Sequence, residues 1–302
     1  MTKSSISLVM MGGLGNQLFQ YSAASKLSKF YSAEIVLDYR FLKFFGVEHP
    51  ITLTDFSFKE PILVKVDNQK FRWFKKTLIK TIGLIRRISF LSTFFRKHLR
   101  ILISSKIDEK IELAEIKNPK IIIGYFQTKH YIESVKTSIE LPVFPRVSSF
   151  LFTDYYQYIL NNEIVAIHVR LGDYRDEKET IGNLSEDYYL NALEYFESKF
   201  PSSTYFIFTN DVDSLALNFP KLLSRQRVEL FRPQVKLSDF EIFSLMSACS
   251  GHIIANSTFS YWAAALATNT KMVIRPTKWF KNLIEPQDLF PENWLEANSD
   301  WS

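Results

Sequence analysis

Cysteine is almost absent from this chain of 302 residues; Cys249 is its single example. An internal disulfide framework is thereby excluded, and a reducing, cytoplasmic address fits. Glycine and proline are scarce too, at 9 and 11 residues, which rules out collagen-like and low-complexity chains. Long apolar runs are also missing. The run from Ile6 to Met11 is too short for a signal-peptide core and leads into a glycine loop, so it is expected to be a strand. Residues 242–270 contain no Asp, Glu, Lys or Arg, but Ser244, Ser247, Ser250, Asn256, Ser257, Thr258 and Ser260 interrupt them. A membrane-spanning helix needs about 20 predominantly apolar residues in succession.

Acid is what residues 68–107 lack. Eleven basic residues fall there, Lys70 to Lys106, with no Asp or Glu; the rest of the chain holds 26 basic and 32 acidic residues. A mildly acidic protein thus carries one basic limb. Phe71, Trp73, Phe74, Leu78, Ile82, Ile85, Phe94 and Phe95 interleave the charges at spacings that predict amphipathic helices. One reading is a surface helical insert that solvates its charged face. Another is a helix lying on an anionic membrane, aromatics down. Nucleic acid is not expected as a partner, because no zinc-finger spacing or RNP-type aromatic motif accompanies the charge.

What is present is a globular composition, 46% hydrophobic, long enough for two domains. Apolar runs alternate with helical patterns, the α/β signature. In the first half, strands are expected at 5–11, 34–38 and 120–124, and helices at 16–31 and 129–139. Leu141-Pro142-Val143-Phe144-Pro145 interrupts the pattern and is the candidate linker. In the second half, strands are expected at 163–169, 204–209, 226–231, 251–255 and 271–275. Helices are expected at 149–161, 185–199, 238–248 and 258–268. Runs such as Ile164–Val169, apolar on both faces, suit a sheet covered on both sides. Two parallel-sheet domains, 1–145 and 146–302, facing a cleft, are the natural assembly. In such sheets ligands sit beyond the carboxyl ends of the strands.

Three strand ends are unusual. Gly12-Gly13-Leu14-Gly15-Asn16-Gln17 follows the first strand. Glycines admit a ligand close to the backbone, and the helix start behind them favours negative charge. Gly13 and Gly15, with Asp38 at the end of the next strand, also imitate a dinucleotide fingerprint, although Leu18 replaces its third glycine; an NAD-linked oxidoreductase therefore stays open. The second end is His168-Val169-Arg170-Leu171-Gly172-Asp173-Tyr174. His168 and Arg170 point to one side of their strand. Arg170, where the chain leaves the sheet, presents a fork suited to a diphosphate, or else pairs with Asp173 across the turn. The third is Asn256-Ser257-Thr258, an N-cap or an anion cradle. Asp211-Val212-Asp213, after strand 204–209, imitates the paired acids of metal-dependent sugar transferases or forms a helix cap.

Taken in order, Gly-Gly-Leu-Gly-Asn-Gln-Leu-Phe-Gln-Tyr at 12–21, Gly-Tyr-Phe-Gln at 124–127 and His-Val-Arg-Leu-Gly-Asp-Tyr at 168–174 form a set. Phe-Thr-Asn-Asp at 208–211, Ala-Asn-Ser-Thr-Phe-Ser-Tyr-Trp-Ala-Ala at 255–264 and Pro276–Phe280 complete it. The set resembles the bacterial α-1,2-fucosyltransferases, glycosyltransferase family 11, from residue 5 to about 295 except for 65–110.

The resemblance implies a GT-B fold of two Rossmann-like domains, an acceptor-side domain 1–145 with the basic insert 68–107, and a GDP-sugar-binding domain 146–302. It implies inverting transfer of L-fucose from GDP-β-L-fucose to the 2-hydroxyl of a galactose-type residue, as in O-antigen. No cofactor and no metal are expected. Arg170, Ser257 and Thr258 would hold the β-phosphate. His168, Asn210, Asp211 and Asn256 would line the donor site, and Gly13, Gly15, Asn16 and Gln17 would reach it from the other domain. Asp173 would fix the Arg170 loop and is a candidate catalytic base by proximity. The expected partners are a GDP-sugar and a glycan acceptor in lipid-linked form. The basic limb would dock the enzyme on the inner face of the cytoplasmic membrane. Leu171 stands where the family commonly has a second Arg, and Tyr261 where Trp is commoner. The deoxysugar is therefore left open, and other GDP-6-deoxyhexoses remain alternatives.

Overall fold

Strand β1 (Ser5–Val9) sets the frame of the first unit. Its Ile6 and Leu8 are fully buried, and it pairs in parallel with β2 (Glu34–Asp38) on one side and β5 (Ile121–Ile123) on the other. The structure, a computed structural model, describes residues 4–40, 53–65, 100–104, 106–111, 118–146, 148–171 and 179–302. Strands β3 (Leu63–Lys65) and β4 (Ile101–Ile103) complete a five-stranded sheet in the order β3-β2-β1-β5-β4. Helix α1 (Leu14–Tyr31) follows β1 directly and ends where Ser32 turns left-handed.

Two expectations change here. The end of the basic limb is not helical: Ile101–Ile103 pairs with Ile121–Ile123 as the edge strand β4, because β-branched residues beside an existing strand gain ladder hydrogen bonds that a helix would deny them. The limb's other residues, 68–99 and 105, lie outside the described residues. The single helix expected over 129–139 is a 3-10 turn at Lys129–Tyr131 followed by the short α2 (Ile132–Lys136). Thr137 and Ser138 turn their hydroxyls back onto the carbonyls of Glu133 and Ser134, which favours an early end.

The second unit is built on β6 (Ile164–Val169), buried along its whole length. Its sheet runs β11-β10-β9-β6-β7-β8, with β7 at Thr204–Thr209, β8 at Val228–Leu230, β9 at Gly251–Ile253, β10 at Met272–Pro276 and β11 at Leu295–Ala297. Its helices are α3 (Phe150–Asn161), α4 (Glu186–Lys199), α5 (Val212–Asn218), α6 (Pro220–Leu223), α7 (Asp239–Ala248) and α8 (Thr258–Ala265). Val165, Ile167, Tyr188, Leu193, Phe196, Tyr205 and Ile207 form the centre of one core layer between sheet and helices. Every ladder between these strands is parallel. The units part between Glu140 and Leu141, and Pro286–Phe290 returns to the first unit; no sequence signal pointed to that return.

Candidate functional site

In both sheets the strand order reverses beside the first strand of the unit. The first sheet reverses between β1 and β5, the second between β6 and β9. Loops leaving the two strands at such a point go to opposite faces and open a crevice at their carboxyl ends. The sequence places its three unusual strand ends at these two points.

In the second unit, β6 lies in register with β7 through Val169 and Thr209, and with β9 through Ile167 and Ile253. Continuing those registers sets Arg170 beside Asn210 on one side and level with Asn256 on the other. Contacts agree with this. The Leu171 N–H donates to Asn210 Oδ1 at 3.1 Å, and the His168 ring lies 5.9 Å from that of Phe259, in the first turn of α8. Arg170, His168, Asn210, Asn256, Ser257 and Thr258 therefore share one edge of one sheet.

Several of these side chains also have partners within the chain. Asn210 braces the loop that begins at Arg170. Asp211 caps α5: its carboxylate accepts from the Ser214 N–H at 3.0 Å and from the Ser214 hydroxyl at 2.8 Å. Asn256, buried, donates from Nδ2 to the Gly182 carbonyl at 3.0 Å and to that of Ile181 at 3.3 Å, pinning the turn that precedes α4. Ser257 is the N-cap of α8 but makes no side-chain capping bond, and the first turn of that helix holds no acid. The positive end of α8 is thus left without a side-chain cap or an acid in its first turn. Leu171 points its side chain into the core layer rather than outward. Asp173 lies outside the described residues.

In the first unit the glycine loop is braced from within. Gly12, at φ +69°, adopts the left-handed region, and a Cβ there would meet the Asn16 side-chain amide at 2.6 Å. Gln17 is fully buried. Its Nε2 donates to the Gly12 carbonyl at 3.0 Å, and its Oε1 accepts from the Tyr39 hydroxyl at 3.2 Å. Burial holds the Tyr39 phenol well above its ordinary value, so it remains a donor. Gln20 returns to Met11, accepting from its N–H at 3.0 Å and donating to its carbonyl at 2.8 Å. Gln17 thus supports the loop. Gly13 caps α1 and Gly15 is buried in its first turn; Asn16 is partly exposed there and accepts from Gln127 Nε2 at 2.9 Å. Gln127 was not singled out from the sequence, although the Gly-Tyr-Phe-Gln motif carries it. Asp38 is clamped by Arg40, at 2.8 Å from Nε and 2.5 Å from a terminal nitrogen, which leaves the dinucleotide reading without its ribose acceptor.

Two parallel-sheet α/β units, each with a glycine- or hydroxyl-bearing turn at its switch point, are the architecture of the GT-B fold. The chain belongs to glycosyl transferase family 11, whose profile matches residues 5–298. It is 25% identical to an α-1,2-colitosyltransferase of Escherichia coli over 95% of this chain and 96% of that protein. It is 29% identical to the O-antigen biosynthesis glycosyltransferase WbnK of Escherichia coli over 90% and 93%. The crystal structure of the fucosyltransferase NodZ from Bradyrhizobium superposes with a TM-score of 0.52 at 14% identity, over 90% of this chain and 95% of that one, and shows the shared fold.

Proposed function

We propose that this glycosyltransferase moves L-fucose from GDP-β-L-fucose to the 2-hydroxyl of a galactose-type residue, with inversion, in the assembly of a bacterial surface glycan such as O-antigen. The observation that carries this reading is the edge shared by Arg170 and the uncapped start of α8. As the bond from C1 of the sugar to the phosphate oxygen breaks, its electron pair goes to GDP. Negative charge grows on the β-phosphate, where a guanidinium fork and helix-start N–H groups stabilise it. The acceptor oxygen bonds to C1 from the opposite face. Its proton passes to Asp173 or to the departing phosphate.

No metal is required in this scheme, and the Asp211 carboxylate is already engaged by Ser214. The names of the two E. coli relatives support a 1,2-linkage to a surface glycan. The name of the first also supports a second reading, a colitosyl donor. Peripheral docking through 68–107 belongs to the same proposal; among the described residues no helix is long and apolar enough to cross a membrane.

Calorimetric titration with GDP, then with NADH, each with and without EDTA, tests the reading. GDP is expected to bind in both conditions and NADH in neither. Parallel assays with fucosyl and colitosyl donors, with the product linkage read by NMR, assign the sugar. Absence of GDP binding, or activity lost in EDTA, would overturn the proposal.

A further inference from the structure

The described residues leave one buried amide oxygen at the first unit's switch point without a partner: Gln127 Oε1. Gln127 is 4% exposed, and its Nε2 is committed to Asn16. An unmatched buried acceptor is costly, and folds retain few of them without a task. The backbone around it is held with unusual care. Phe126 is left-handed at φ +54° although it is not glycine, a strained setting for an aromatic residue. The Gln127 N–H donates to the Ile107 carbonyl at 2.7 Å, and Thr128 N–H to the Phe126 carbonyl at 2.8 Å. A Cβ on Gly124 would lie 2.4 Å from Ser104 Cβ, so the approach of the two strand ends also needs that glycine. Together these fix the Gln127 side chain on the partly exposed Asn16.

We propose that Gln127 and Asn16 form an amide pair that binds one hydroxyl of a hexose at the carboxyl end of β1 and β5. The inference rests on the glycosyltransferase reading above. The pair has one carbonyl oxygen and one NH2 group left over, on Gln127 Oε1 and Asn16 Nδ2. Exchanging nitrogen and oxygen in both amides moves the spare oxygen to Asn16 and the spare NH2 to Gln127, so the pair still offers one acceptor and one donor to a hydroxyl. A hydroxyl donates once and accepts as well, which matches that inventory; a phosphate only accepts and would leave Oε1 unmatched. Gln127 is thus a sugar-contacting residue that the nucleotide does not need.

The test is Gln127→Met, which keeps the length and removes both hydrogen-bonding groups. GDP affinity is expected to stay within twofold of wild type, while kcat/KM for transfer falls about 10- to 100-fold, the effect of losing one or two hydrogen bonds to a bound sugar. Hydrolysis of the donor without acceptor identifies the hexose. A parallel fall puts the hydroxyl on the transferred sugar, and unchanged hydrolysis puts it on the acceptor. Gln127→Glu, which keeps an acceptor oxygen, is expected to recover part of the loss. Wild-type transfer by a folded Gln127→Met protein would overturn the inference while leaving the function intact. So would loss of GDP binding and thermal stability in both variants, which would assign Gln127 to the fold alone. Failure of the wild-type chain itself to bind GDP would remove the underlying reading, and is seen before any variant is made.

Discussion

Arg170 is the residue at which charge and geometry meet, and its replacement gives the largest expected effect. Arg170→Ala is predicted to lower kcat about 100- to 1000-fold, the range for removing one donor from a preorganised anion site. Arg170→Lys recovers little, because an ammonium cannot fork across two phosphate oxygens. Initial rates with GDP-fucose check this, and near-wild-type turnover of the alanine variant would refute the assignment. Asp211 gives a contrasting prediction. Asp211→Ala removes the cap of α5 and is expected to cost about 1 kcal/mol in urea unfolding, whereas Asp211→Asn keeps most of it. The same residues show what a sequence discloses at this scale. The strand-end positions of Arg170, Ser257 and Thr258 were legible, because the apolar runs before them mark where each strand stops. That Asn210, Asp211, Asn256 and Gln17 also hold the chain itself was not legible. A carboxylate or amide at a strand-to-helix corner looks the same whether it faces a ligand or holds the chain, and only the partners decide.

The strand β9 shows how much an element of three residues carries. It stands at the switch point, between β6 and β10, and a Cβ on Gly251 would lie 2.3 Å from the Phe196 ring, inside the core. Gly251→Ala is therefore expected to destabilise the second unit by about 1–3 kcal/mol through overpacking, read from the urea midpoint. The next residue, His252, is fully buried between the Met246 carbonyl, 2.9 Å from Nε2, and the Thr270 hydroxyl, 3.1 Å from Nδ1. Burial pushes the ring down to about 4, below its ordinary value of 6.5. Between those values the unfolded chain binds the extra proton, so stability falls as pH drops from about 6.5 to about 4, by on the order of 3 kcal/mol, and is unaffected by this group above 6.5. Urea midpoints at pH 7 and pH 4.5 measure the fall, and His252→Leu should flatten the slope while lowering the plateau. Long buried strands such as β6 and β7 were legible from composition alone. The edge strands β3, β4 and β11 were not, since three residues are too few to show alternation and their extended state comes from the neighbour they pair with.

At the scale of the whole molecule, charge is distributed more unevenly than any single element shows. With 68–107 set aside, 26 basic residues face 32 acidic ones, so an anionic surface should repel most of the chain and attract one limb. Composition made this asymmetry legible; it has no bearing on the fold, just as nothing local marks the return of 286–290 to the first unit. If the limb docks the enzyme, each Lys or Arg close to an anionic bilayer contributes about 1 kcal/mol. Neutralising Arg86, Arg87, Arg96 and Lys97 together should then weaken partitioning by roughly a thousandfold at most. The measurement is flotation with vesicles of phosphatidylglycerol and phosphatidylcholine against phosphatidylcholine alone. Binding is expected to the anionic vesicles only, to decline as salt shortens the screening length from about 10 Å at 0.1 M to about 3 Å at 1 M, and to be lost in the fourfold variant. Transfer to a soluble galactoside should survive in that variant, because none of the four is among the residues proposed to hold the donor. Equal recovery on neutral and anionic vesicles, or an unaltered fourfold variant, would mean that the limb has another task.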